Sequence, residues 1–214
     1  MQRRLEPELL DSLPPYHPDA QRSRRDLCRV NRIMGNTRWF QAVLPTRVRT
    51  DERVLELGAG MGKLARALHP RLPLIDGLDL MPTPVAWPAP ARWHQTDLHA
   101  FTGWNHYPTV IGNLILHHFD DDGLRTLGAA LRHHARRLVF CEPTRGRHNQ
   151  WIWTVAAPLG GAGHVTRHDG YVSIAAGFRG DELPRALGLD PALWCWQVRT
   201  TFLGAYRLIA ERRP

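Results

Sequence analysis

Lysine is almost missing from this chain. Lys63 is the only one, and arginine supplies nearly all of the 28 basic residues. Cysteine is also sparse: Cys28, Cys141 and Cys195 lie far apart and are odd in number. That excludes a disulfide framework and a cysteine-rich metal cluster, and suits a reduced, cytoplasmic setting. No apolar run approaches the roughly 18 residues of a membrane span. The first residues, MQRRLEPELLDSLPPYHPD, carry charge and proline where a signal peptide would carry its apolar stretch, so a cytoplasmic location is expected. Twelve histidines are present, but neither His117-His118 nor His133-His134 stands in zinc-ligand spacing with cysteine or carboxylate partners. No metal site is expected.

What the chain does have is bulk and positive charge. Its 214 residues favour one domain with a small appendage, and a hydrophobic content of 43% is enough for a core. A net charge of +8 raises a nucleic-acid reading. The arginines are scattered, however, with the densest group at Arg22, Arg24, Arg25 and Arg29. Heavy use of alanine, glycine, proline and arginine fits a GC-rich coding sequence. A dedicated nucleic-acid surface is therefore not expected.

The most informative stretch is Arg53-Val54-Leu55-Glu56-Leu57-Gly58-Ala59-Gly60-Met61-Gly62-Lys63-Leu64-Ala65. An apolar strand meets three glycines at alternate positions and then a helical pattern. Strand, tight glycine turn and helix build a nucleotide-type pocket at the carboxyl end of a first parallel strand. Glycine allows backbone angles that other residues resist, and a Cβ would block a ligand lying on the turn.

Further strands are expected at 74–79, 91–95, 109–114 and 138–142, with helices at 63–69 and 124–133. Four prolines between Met81 and Pro90 make an ordinary crossover helix there impossible, so an irregular link is expected. Strands at 193–200 and 205–211 follow a helix at 181–187. Residues 1–20 read as an extended arm, and 23–43 as two short helices or one broken at Gly35-Asn36. The fold class is thus α/β: a Rossmann-like doubly wound sheet of about seven strands, mostly parallel with a reversed last strand. Residues 1–45 form an N-terminal arm and helical cap, and 46–214 the main domain. Within that domain, 143–180 is an aromatic, glycine-rich insertion.

Three ligands compete for the glycine turn. A phosphate-binding P-loop would need Ser or Thr after Lys63, where Leu64 stands, and the glycine spacing is wrong. A dinucleotide fold needs its third glycine at position 63, one residue beyond Gly62, although Asp79 is suitably placed for a ribose. The third ligand is S-adenosylmethionine. Asp79, ending strand two, can accept from both ribose hydroxyls. Asp97, just past strand three, can accept from the adenine amino group, with the Leu98 backbone reading the ring. Glu56 can help anchor the ammonium of the methionine part.

On Val54 to Gly62, Asp79, Asp97-Leu98 and Asn113-Leu114-Ile115-Leu116-His117-His118-Phe119, the sequence resembles the class I S-adenosylmethionine-dependent methyltransferases. The likeness covers roughly Asp51 to Glu142, and the terminal strand pair is similar to that family's. Val30 to Trp39 resembles the stretch before the glycine motif in quinone-biosynthesis C-methyltransferases and polyketide-associated methyltransferases. The proline-rich loop and the insertion depart from the quinone enzymes, which leaves the acceptor open.

The resemblance implies a methyltransferase (EC 2.1.1.-) acting on a small, aromatic or lipophilic acceptor at oxygen or carbon. Its implied cofactor contacts are Arg38, Glu56, Gly58, Gly60, Asp79, Leu80, Asp97, Leu98 and Asn113. A general base, where one is needed, is His117, His118 or His148. The alternatives are an RNA methyltransferase, which the charge favours and the absence of proline after Asn113 opposes, and a non-catalytic nucleotide-type binding module. Each assignment has a plainer counterpart. Gly58 and Gly60 could be simple turn glycines, Asp79 could cap a helix and Asp97 could close a turn. The histidines could merely line a cleft and Arg38 sit solvated. Trp151, Trp153 and Tyr171 could pack a lid instead of lining an acceptor pocket.

Overall fold

The computed structural model describes residues 1–14 and 16–214. A seven-stranded sheet runs in the order β3-β2-β1-β4-β5-β7-β6. Its strands are β1 (Val54–Leu57), β2 (Ile75–Asp79), β3 (Trp93–Gln95), β4 (Thr109–Asn113), β5 (Arg137–Pro143), β6 (Trp194–Thr200) and β7 (Ala205–Arg212). The first five are parallel, and β7 runs antiparallel to both of its neighbours, β5 and β6. Leu57 of β1 pairs with Leu78 of β2 on one side and Gly112 of β4 on the other. The chain leaves β1 toward β2 and later returns on the opposite side at β4. That reversal opens a crevice beyond the carboxyl ends of β1 and β4.

All four residues of β1 are buried, as are the first four of β4. Both faces of the sheet are covered, so these strands read as continuous apolar runs. One face packs Leu55, Leu57, Val110, Leu138 and Phe140 against Leu124, Leu127 and Leu131 of α5 (Asp121–His134). The other packs Val54, Ile111 and Val139 against Phe40 of α3 (Asn36–Val43) and Leu64 and Leu68 of α4 (Lys63–Leu68). Asp120 caps α5 by accepting from the Gly123 N–H at 2.7 Å. No helix forms between β2 and β3, as the four prolines require.

The N-terminal part is more ordered than the expected arm. A single turn, α1 (Leu9–Ser12), precedes α2 (Pro18–Met34), which starts five residues before the expected helix. Proline is tolerated at that first position because its missing N–H would have no partner there anyway, and the His17 side chain caps the turn. Gly35 ends α2 at φ 69°, and α3 begins on the next residue.

The insertion is a helical hairpin, α6 (Arg147–Leu159) and α7 (His164–Ala176), followed by the short α8 (Glu182–Ala186). Trp153 holds the hairpin together. Its Nε1–H donates to the Arg167 carbonyl at 2.9 Å, and its ring lies where a Cβ on Gly170 would stand. Among the described residues, no helix is long and apolar enough to cross a membrane.

Candidate cofactor and acceptor site

The glycine turn sits at the head of the crevice. Gly58, Gly60 and Gly62 take φ of 60°, 52° and 67°, the left-handed region where a side chain is strained. Their surroundings differ. A Cβ on Gly58 would stand 2.6 Å from Ile115, and one on Gly62 would stand 2.6 Å from Trp87. A Cβ on Gly60 would meet nothing closer than 4.0 Å. Gly58 and Gly62 are therefore packed, whereas Gly60 leaves room for a ligand to lie on the backbone.

Asp79, at the end of β2, braces that opening. Its Oδ2 accepts from the Gly60 N–H at 2.7 Å and its Oδ1 from the Met81 N–H at 2.8 Å. Each oxygen keeps a second lone pair for a hydroxyl donor. Leu80, next in the chain, is 67% exposed. The Thr96 N–H donates to the Asp79 carbonyl at 3.0 Å, which brings Asp97 and Leu98 alongside. Asp97 is exposed and Leu98 is buried. Asp97 also closes a turn by accepting from the His99 N–H at 2.7 Å, so its plainer role is realised while its carboxylate stays accessible.

Glu56 is buried at 3% exposure and accepts one hydrogen bond, from the Ala65 N–H at 3.1 Å. Burial, with a smaller contribution from the Asp79 charge, pushes its carboxyl up to about 8. A buried carboxyl with spare acceptor capacity is suited to a cationic ligand group. The open face of Gly60 thus lies beside two carboxyl groups, Asp79 and Glu56, that keep spare acceptor capacity.

Asn113 ends β4 in a cluster the sequence did not reveal. Its amide nitrogen donates to Asn31 Oδ1 at 3.2 Å, and its Oδ1 accepts from Asn36 Nδ2 at 3.0 Å. Asn36 is fully buried. These three amides clasp α2 and α3 to the crevice, and their only signal in the sequence was two asparagines flanking Gly35. Arg38, on α3, is exposed and makes no hydrogen bond or ion pair among the described residues.

On the other side of the crevice, the turn Leu116–His118 carries the histidines. His117 Nδ1 lies 2.7 Å from Glu142 Oε2, and Glu142 Oε1 accepts from the Ile115 and Leu116 N–H groups at 3.1 and 2.9 Å. Burial alone would lower the His117 pKa, but its bonds to Glu142 and then Glu8 raise it to about 9. For His118, burial and the neighbouring His117 charge lower it. A cavity of about 310 Å³ opens here, walled by Leu5, Glu8, Asp11, His117, His118 and Val172 among others. Neither Glu8 nor Glu142 was among the expected site residues, because nothing local ties residue 8 to residues 117 and 142. His148 is exposed on α6, with its ring edge-on to Phe202 at 6.4 Å. Trp153 packs the hairpin, while Trp151 stays 67% and Tyr171 46% exposed.

No family model and no curated protein matches this sequence. Among solved structures, the fold is similar to that of the plantazolicin methyltransferase BpumL in complex with SAH. That match has a TM-score of 0.72 at 11% identity over 96% of this chain and 93% of the other. The pyocyanin biosynthetic protein PhzM matches with a TM-score of 0.62 at 17% identity, over 92% of this chain and 60% of its own. A protein solved in connection with the conversion of a disulfide bond into a thioacetal group during echinomycin biosynthesis matches at 0.59, with 17% identity over 83% of this chain and 81% of its own. At these identities the likeness is one of fold.

Proposed function

We propose that this chain, which has the Rossmann-like methyltransferase fold, transfers the methyl group of S-adenosylmethionine to a small acceptor of natural-product type. The observation that carries the reading is the open face of Gly60, braced by Asp79 and flanked by the buried carboxyl of Glu56. Asp79 receives the ribose hydroxyls, Asp97 and the Leu98 backbone the adenine, and Glu56 the ammonium. Arg38 offers the unpaired cation for the carboxylate. Bound S-adenosylmethionine supplies an electrophilic sulfonium methyl, displaced in line, with S-adenosylhomocysteine as the leaving thioether. Holding donor and acceptor in line accounts for most of the rate.

The acceptor is an aromatic or lipophilic small molecule methylated at oxygen or carbon. It enters by the cavity beside His117 and His118, which the N-terminal segment and α7 wall. The solved neighbours support this class: BpumL is known with SAH and a triazolic desmethylPZN analogue, and PhzM is named for pyocyanin biosynthesis. A base is needed only for an acceptor that must lose a proton, and His117, His118 and His148 are the candidates. The test is methyl transfer to a panel of phenols, quinones and bulk RNA. Turnover of a phenol or quinone supports the reading, whereas turnover of RNA alone overturns the acceptor class. Phenol activity that survives His117→Ala, His118→Ala and His148→Ala alike removes all three as bases.

A further inference from the structure

The cavity beside the Leu116–His118 turn holds a donor set that methyl transfer does not itself require. Glu8 reaches in from the N-terminal segment. Its Oε1 lies 3.5 Å from His117 Nε2 and 4.0 Å from His118 Nε2, and one donor atom from each of the three residues lies within 4.8 Å of the others. Around a tetrahedral Zn2+ with bonds of about 2.0–2.1 Å, neighbouring donors stand about 3.3 Å apart. The Glu8–His117 pair is already near that spacing. The His118 side chain, 31% exposed, has room to turn toward the other two.

The surroundings favour a cation as well. Glu142 holds His117 by Nδ1 at 2.7 Å, which directs Nε2 toward Glu8. A carboxylate on the far nitrogen is the partner that metal-bound histidines regularly have, and it fixes the ring and its tautomer. Glu142 is itself anchored by the Ile115 and Leu116 N–H groups. Either a second ring proton or a metal ion can fill the space between His117 Nε2 and Glu8 Oε1, an oxygen that also accepts from the Ser173 hydroxyl. Asp11 adds a third carboxylate, its Oδ2 3.9 Å from His118 Nδ1. The nearby arginines are engaged elsewhere, Arg3 with Asp121 and Arg145 with Glu182.

We propose that Glu8, His117 and His118 bind one divalent transition-metal ion, with Zn2+ as the best match to two imidazoles and a carboxylate. A further coordination position faces the cavity, where an oxygen or nitrogen of an acceptor, or a water, can bind. With an ion bound, the ligating nitrogens have no lone pair left to take a proton, so His148 is the candidate base that remains in the loaded protein. Sequence spacing hid the site because the ligands come from two ends of the fold.

The test uses the full chain, stripped with a chelator and titrated with Zn2+ by calorimetry and with Co2+ by visible absorption. One equivalent of saturable binding is expected. Glu8→Gln and His117→Ala should each weaken it by at least about 100-fold, and Glu142→Gln by about 10- to 100-fold. The double variant His133→Ala/His134→Ala, which removes an exposed histidine pair elsewhere, should bind as the parent does. Circular dichroism and S-adenosylhomocysteine binding of Glu8→Gln, expected to be unchanged, separate loss of the metal from loss of the fold. No saturable binding, binding indifferent to Glu8→Gln, or binding lost only with His133 and His134 would each overturn the proposal. The trio would then be a proton-bridged ion pair. Because S-adenosylhomocysteine is titrated separately, failure of the metal site leaves the methyl-donor reading standing.

Discussion

A carboxyl as buried as Glu56, with one hydrogen bond, stays neutral until a cation arrives. Its pKa of about 8 lies above the ordinary carboxyl value, so between roughly pH 4.5 and 8 the folded chain holds a proton that the unfolded chain has lost. Stability of the free protein therefore falls as pH rises through that window. Ligand binding reverses the preference, because an ammonium beside Glu56 favours the ionised form. At pH 7, S-adenosylhomocysteine should release close to one proton, read as a difference in calorimetric heat between buffers of unlike ionisation enthalpy. Affinity should rise by up to about tenfold from pH 6 to 7. Glu56→Gln should raise the melting temperature of the free protein at pH 8 while weakening S-adenosylhomocysteine by about tenfold or more. Binding with no proton release would detach Glu56 from the ammonium.

At the scale of elements, the three turn glycines divide by what surrounds them. Gly60→Ala should cost about 1–2 kcal/mol for its left-handed backbone, a modest fall in melting temperature. Its larger effect should be on S-adenosylhomocysteine affinity, which drops by more than about tenfold because the Cβ occupies the ligand's space. Gly58→Ala drives the same atom into Ile115 and should lose more stability. A Gly60→Ala protein that binds as the parent does would mean that no ligand lies on that turn. This strand–turn–helix was legible because its signals are local: an apolar run, positive-φ glycines and a helical period within a dozen residues. The irregular link after β2 was legible for the same reason, since proline acts on its own backbone. The start of α2 was not, because proline marks a break or a first turn equally well until the cap at His17 is seen.

For the whole molecule, a mostly parallel sheet of about seven strands with a reversed last strand could be anticipated from the alternation of strands and helices, and the sheet brings the strand ends that carry Asp79 and Asn113 to one edge. What stayed hidden depends on long-range closure. The clasp of Asn31, Asn36 and Asn113 joins the cap to the sheet, and Glu8, His117 and Glu142 meet only once the N-terminal segment is laid along α7. Polar residues of that kind carry no periodicity, so the sequence offers no pattern to find them by. The donor pocket is the part most directly open to test. Calorimetric titration of the free protein with S-adenosylhomocysteine and, separately, with NAD should give one saturable site for the first and none for the second. Tight NAD binding with no S-adenosylhomocysteine binding would contradict the account.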